Sequence, residues 1–449
     1  MRLIRLGRTI AAGLPIVAAA CGGGAALQLH DVTPESVPSL QAERTAKPDD
    51  GMVATRLGVA YFRANQLPEA RAVLDTAVER DPQNGIAAIY RGMTAESQGD
   101  FAAARASYDQ FVQVGRSSEL KSAARQRLAL VDRRELEFSA RQALAQEAEL
   151  SQQPPEPNTI AVMPFGYTGA NEDIRPLSRG FAQLVVTDLA HSRQLRVLER
   201  ERMQAMLDEM RLGEQGRTDP QSAARSGRML RAGRVVQGSL SDQDDVLRAT
   251  GAVVDVNTAG VAPGADAALP LNRLFDMEKV FVFDLFNSMG ITLTEAERAA
   301  INQRPTQNIQ AFLAWSRGLE AEDRGDFVAA QEQYNQAVRL DPSFGAASQS
   351  AQTVTDIQQA SGQSVADVDA MVTANAAAEV GTGPTSETMS SALSGGSEGT
   401  NPGSTTTTTD PTRDQAPTQP PTDRKPTDAT GSTGIGRPTA TIRIIIPRP

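Results

Sequence analysis

GMVATRLGVAYFRANQLPEARAVLDTAVERDPQN, residues 51–84, sets small residues at Gly58 and Ala70 among the bulkier Leu57, Tyr61 and Leu74, and Ala77 and Pro82 close the unit. The next 34 residues, 85–118, restate the scheme through Gly92, Ala95, Ala104, Tyr108 and Phe111 but lack the closing proline. A period of that length marks a helix-turn-helix unit that stacks on its neighbours because it cannot cover its own apolar face. Small residues let the two helices approach closely, and the aliphatic and aromatic positions fill the space between them. A third copy lies far downstream at 311–344, where Gly318, Ala321, Gly325, Ala330, Tyr334, Ala337 and Pro342 recur in register. Its RGDFVAAQEQYNQAVRLDP echoes the upstream QGDFAAARASYDQFVQVG.

These units resemble tetratricopeptide repeats. Two of them leave an apolar face open, so residues 119–151, rich in Ala, Leu, Glu and Arg, are expected to form a capping and connecting helix. The run Pro154-Pro155-Glu156-Pro157 then breaks the chain into an extended segment. The resemblance implies a concave groove lined by the first helix of each repeat. Its register sets Met52, Thr55, Val59, Phe62 and Arg63 beside Ile86, Ile89, Met93 and Glu96. Thr55 and Val59 replace residues with which some relatives grip a terminal carboxylate, so a hydrophobic peptide or helix is the expected ligand. The alternative is that these residues pack against Glu119–Leu150.

Residues 158–291 change character. Ile160–Phe165 reads as a buried strand, Leu177 to Leu189 carries a helical stripe, Leu195–Leu198 is a short strand, and Met203, Met206, Leu207 and Met210 form another stripe. Arg234–Leu240 and Leu247–Val256 predict a hairpin across the polar turn Ser241–Asp245, and Leu274–Gly290 a last helix. The pattern predicts an α/β domain with helices packed on a small mixed sheet. Its blocks IAVMPF, LSRGFAQLVVTDLAHSRQLRVLERERMQAML, RMLRAGRVVQGSLSD and LRATGAVVDVNTAG resemble the CsgG/HfaB family of curli production and, less closely, the amino-terminal domain of TolB. The CsgG resemblance implies an outer-membrane lipoprotein that oligomerises into a secretion pore. The chain departs from it where the pore-forming hairpins are expected. Only Ser241–Asp245 stands at the first position, and VAPGADAALPLNR beyond Gly260 reads as a connection without a pair of alternating strands.

The ends carry their own signals. Arg2, Arg5 and Arg8, the apolar Ile10–Val17 and Val17-Ala18-Ala19-Ala20-Cys21 read as a signal peptide over 1–20. It resembles a lipoprotein signal with Cys21 as the acylated residue, although Ala18 stands where leucine is usual; the alternative is an uncleaved anchor over the uncharged Thr9–Leu29. Gly22 after the cysteine implies the outer membrane. Linkers are expected at 21–50 and 292–310, and a disordered linker and tail over 345–438, within which Val365–Val380 could form only a transient helix. The isoleucine-rich 439–446 has strand character, either folding back on its own sheet or docking on a partner's edge.

Composition narrows the function. Net charge is −10 for the whole sequence, and Cys21 is the only cysteine beside two histidines, His30 and His191. Nucleic acid is excluded as a partner by charge, and zinc or thiol chemistry by ligand supply. Gly395-Gly396-Ser397-Glu398-Gly399 imitates a nucleophile elbow inside a flexible tail and lacks partners for the serine. No catalytic, cofactor or metal residues are therefore assigned. The expectation is a non-enzymatic, lipid-anchored outer-membrane scaffold facing the periplasm. It would bind envelope proteins or peptides through its repeats, with self-association through the α/β domain. The competing expectation is a component of a curli-type secretion channel.

Overall fold

The computed structural model describes residues 28–211 and 219–380. The signal segment 1–20, Cys21, the tail beyond 380 and the 439–446 segment lie outside the described residues.

After the short helix α1 (Val37–Ala46), the first two repeats form the hairpins α2 (Gly51–Arg63) with α3 (Leu67–Arg80) and α4 (Gly85–Ser97) with α5 (Phe101–Val114). Asp50 caps α2 by accepting from the Met52 and Val53 amides, Asn84 caps α4 and Asp100 caps α5, each cap being worth about 1 kcal/mol. The repeat glycines sit where the helices cross. A methyl on Gly58 would lie 2.6 Å from Leu74 and one on Gly92 2.8 Å from the Tyr108 ring, so only glycine admits these contacts.

The expected connecting helix is present as α6 (Ser118–Ala145) with a short continuation, α7 (Glu147–Leu150). Its 28 residues span about 42 Å at 1.5 Å per residue. One end packs on α5, the other on the α/β domain.

That domain holds β1 (Glu156–Val162), β2 (Gly166–Tyr167), β3 (Arg196–Val197), β4 (Ala232–Gln243), β5 (Val246–Asp255) and β6 (Val261–Pro270). The sheet order is β3-β1-β4-β5-β6 with β2 also on β4, parallel on the β3 and β1 side and antiparallel from β4 to β6. Between the strands run α8 (Leu177–Leu189), α9 (Arg200–Glu209) and α10 (Pro220–Met229), and α11 (Leu274–Ser288) follows them. The pleat sorts the core. Ile160, Val162, Val236 and Leu240 face α8 and α11, whereas Ala161, Met163, Val235 and Val254 share a second core with α9, α10 and Ala140 of α6. Phe165, Phe181 and Phe281 meet with ring centroids 5.3–5.7 Å apart.

Asp244 and Asp245 both adopt positive φ, 50° and 61°, which makes a tight two-residue turn whose twist suits the flanking strands. The connection expected after Gly260 is instead the edge strand β6, paired with β5 through a bulge at Gly251 and Ala252. Pro263 and Pro270 fit because an edge strand need not donate on its outer side. The sheet thus carries two consecutive antiparallel hairpins, β4 with β5 and β5 with β6, where only the first was expected.

Two further expectations are corrected. The linker 292–310 contains α12 (Glu295–Ile301), whose Glu297 closes a capping box with Thr294 and accepts from the Arg193 amide at 2.9 Å. The third repeat, α13 (Ile309–Asp323) with α14 (Phe327–Leu340), is followed by α15 (Gly345–Ser361) and α16 (Val365–Val380), where a disordered chain with only a transient helix over Val365–Val380 was expected. Both helices persist because they find apolar cover: Val354, Ile357 and Ala360 of α15 are buried, as are Val368, Val372 and Ala376 of α16. α13 packs on α8 and sets its Phe312 ring 5.3 Å from that of Phe275 on α11, and α15 lies along α6, where Arg127 donates to the Ala360 and Gln363 carbonyls. The separated repeats are thereby joined through α6. No helix among the described residues is long and apolar enough to cross a membrane.

Candidate functional site

The groove of the first two repeats is occupied by the chain itself. α16 lies against α4 and α6, and its stripe Val368, Val372 and Ala376 belongs to the same buried core as Val59, Ile86, Ile89 and Met93. The spacing of that stripe is the one by which a helix presents a single apolar face. Phe62 packs at the edge, its ring 5.6 Å from that of Tyr90 in an edge-to-face arrangement.

Polar anchors fix the register of the seated helix. The Arg63 guanidinium donates to Asp369 through Nε and through Nη2 at 2.9 Å, to Thr373 at 2.6 Å, and to the carbonyls of Leu29 and Val32. Burial works against its charge, but Asp369 and Tyr90 outweigh that and raise Arg63 above the ordinary guanidinium range. Tyr90 donates its hydroxyl to the same carboxylate, and burial together with Asp369 pushes that hydroxyl far above its usual value. At the other end of α16, Glu379 accepts from the backbone amides of Arg116, at 2.9 and 3.0 Å, and of Ser117, at 3.0 Å. Those amides lead into α6, so the carboxylate also sits at the positive end of a helix.

Not every expected groove residue faces the ligand. Thr55 is fully buried between helices, donating to the Gly51 carbonyl and accepting from Asn84. Glu96 turns to α6, where it pairs with Arg127 and Arg134 and accepts from Tyr108. Met52 stays at the exposed lip. Packing of groove-register residues against the connecting helix therefore holds for Glu96, while Arg63 bonds to α16 and Val59, Ile86, Ile89 and Met93 share the buried core with its apolar stripe. Tyr90, Asp369 and Glu379 were not among the expected site residues. The stripe Val365, Val368, Val372 and Ala376 was the available signal, diluted by alanines and a polar opposite face.

Among the described residues no group of three or more His, Cys, Asp or Glu side chains is arranged to hold a metal ion.

Comparison with known proteins divides the chain in the same way. The family described as curli production assembly/transport component CsgG matches residues 141–270, from the end of α6 to the end of β6, and the tetratricopeptide repeat family matches residues 55–119. No curated protein matches the chain. Among solved structures it is similar to the crystal structure of yeast Tom70, at 10% identity and a TM-score of 0.22, over 75% of this chain and 65% of that one. The chain thus spans slightly under two thirds of that protein, and a score so low carries no argument. Residues 141–270 form a CsgG-like domain, tetratricopeptide repeats precede it over 55–119, and the helix pair α13 and α14 follows it.

Proposed function

We propose that this chain is a non-enzymatic scaffold of the cell envelope, held at the outer membrane by acyl groups on Cys21 and facing the periplasm. It recruits protein partners for curli-type assembly or secretion. The observation that supports recruitment is the seated helix. An apolar stripe with one carboxylate on Arg63 and another on free amides is a helix-in-groove mode of recognition. A partner segment with the same pattern would compete with α16 for the groove. The CsgG-like domain supplies the surface for self-association.

The competing reading, a channel component, gains nothing from β4 to β6. Their outer face carries the Arg248–Asp266 ion pair and a hydrogen bond between Ser239 and Thr250, whereas strands in a bilayer turn apolar side chains to the lipid.

Membrane fractionation of the wild type and a Cys21→Ala variant, combined with photocrosslinking from Met52 in intact cells, tests the proposal. The expected result is a membrane-bound wild type, a released variant and adducts between Met52 and another envelope protein. A wild type without acyl groups, or adducts confined to residues 365–380 of the same chain, would overturn it.

A further inference from the structure

The seat beneath α16 has a socket for a carboxylate at each end. At one end Nη1 of Arg63 donates to the Leu29 and Val32 carbonyls, which leaves Nε and Nη2 turned to the Asp369 carboxylate. A guanidinium held on one side by the chain's own carbonyls presents a preorganised fork to an acid. At the other end the Arg116 and Ser117 amides receive Glu379, and Gly85 makes room for it: a methyl there would overlap Glu379 Oε1.

The two sockets together act as a ruler. Asp369 and Glu379 are ten residues apart, about 15 Å along a helix, and both fall with Val368, Val372 and Ala376 inside an arc of about 100° at 3.6 residues per turn. Those three are the fully buried apolar side chains of α16, a modest apolar payload for a helix of 16 residues. What compensates is the tether: residues 362–364 join α16 directly to α15, and a link that short holds a segment at an effective concentration on the order of millimolar. A helix kept in place by two acids and a short tether is one that a free ligand with better apolar contacts can displace.

We propose that α16 is an autoinhibitory stand-in, and that the partner it excludes is an acidic amphipathic helix with two carboxylates ten residues apart along its apolar stripe. This rests on the helix-in-groove reading above and adds the regulation of the groove and the measure by which it selects. The first carboxylate takes the Arg63 fork and the Tyr90 hydroxyl, the second takes the Arg116 and Ser117 amides, and the stripe covers Ile86, Ile89 and Met93. A basic residue at either place is rejected by charge. Acids nine or eleven residues apart are rejected by geometry, because each residue turns its side chain by about 100°.

Fluorescence anisotropy with the labelled, carboxyl-amidated peptide SVADVDAMVTANAAAEV, residues 364–380, tests this on the full chain. The wild type should bind it at least tenfold more weakly than Asp369→Arg, in which like charge at Arg63 unseats the chain's own helix. A second opened variant, Val368→Asp with Val372→Asp, reaches the same state by another route, and circular dichroism with hydrogen exchange over residues 51–114 checks that the repeats stay folded. Ala378→Glu with Glu379→Ala in the peptide keeps its composition and charge but turns the second acid away from the amides. Affinity for either opened chain should then fall at least tenfold, and Gly85→Ala added to an opened chain should lower the affinity of the original peptide severalfold. No saturable binding to either opened chain, equal binding to wild type and opened chains, or equal affinity for the two peptides would overturn the proposal. Peptide binding without envelope adducts at Met52 would reject the recruitment reading and leave the stand-in intact, whereas such adducts without peptide binding would do the reverse.

Discussion

Arg63 in the first repeat and Asp323 in the third stand at the same place in the 34-residue frame, the thirteenth, and each reaches out of its repeat to a charge of opposite sign. Arg63 holds Asp369 of α16, and Asp323 holds Arg200 of α9. The twelfth and twenty-fourth positions compare in the same way. Tyr108 donates to Glu96 in the second repeat and Tyr334 to Glu322 in the third, and each glutamate also meets an arginine from outside its repeat, Arg127 or Arg200. Inside the repeat the frame dictates size, as Gly58, Gly92 and Gly318 each face a bulky residue of the second helix. At the outward positions it leaves charge open, and charge then selects which helix docks.

The largest test of this comparison is Glu96→Ala. Glu96 and Arg127 are almost wholly buried, so removing the carboxylate strands a guanidinium and should cost about 3–5 kcal/mol in denaturant unfolding. Glu322→Ala should cost less, about 1–3 kcal/mol, because Arg200 keeps Asp323 and Glu201. Equal losses would show that the remaining partners of Arg200 do not compensate for the missing carboxylate.

Exchange of the clasp sharpens the point. Arg63→Asp alone should destabilise by about 2–4 kcal/mol through like charge against Asp369, with hydrogen exchange rising first over residues 365–380. Adding Asp369→Arg should restore part of that loss. No restoration would mean that the carbonyls of Leu29 and Val32, not the charge pair, dominate at Arg63.

The smallest effect is a pH dependence at Asp132 of α6. Burial by the surrounding protein, and the nearby Glu135, Asp109 and Glu199, push the Asp132 carboxyl up to about 7 against the pull of Arg105. Ionisation of a group raised in this way opposes folding. Its penalty is absent below the unfolded value, about 4, and complete above about 7. Asp132→Asn should therefore raise stability at pH 8 but not at pH 4. Half of the side chain is exposed, which keeps the gain under about 1 kcal/mol. Thermal melts at the two pH values measure it.

The repeats were legible because their signal is local: a glycine and the bulky residue it faces lie sixteen positions apart, and the same spacing occurs three times. The strand and helix order of the CsgG-like domain was legible for the same reason, each apolar run being long enough to state its own period. β6 was not, since Pro263, Asp266 and Pro270 argue against a strand unless it is known to lie at an edge. α16 was expected only as a transient helix, and its persistence was missed for a different reason. A stripe of three valines and an alanine does not stabilise a free helix, and the surface that covers it lies some 280 residues earlier in the chain. Nothing near Val365 announces Arg63. The expected open groove failed with it, because an unoccupied surface cannot be inferred while a possible occupant goes unrecognised.

The clasp at Arg63 has a mechanical consequence. One guanidinium holds Leu29 and Val32 near the start of the described chain and Asp369 near its end, while Glu379 is fastened to the Arg116 and Ser117 amides. Tension applied between residues 28 and 380 would meet these few bonds before it reached the sheet or the third repeat. A pull at these two ends would thus strip α16 from its seat and bare the apolar trough beneath, while the rest of the body stayed folded.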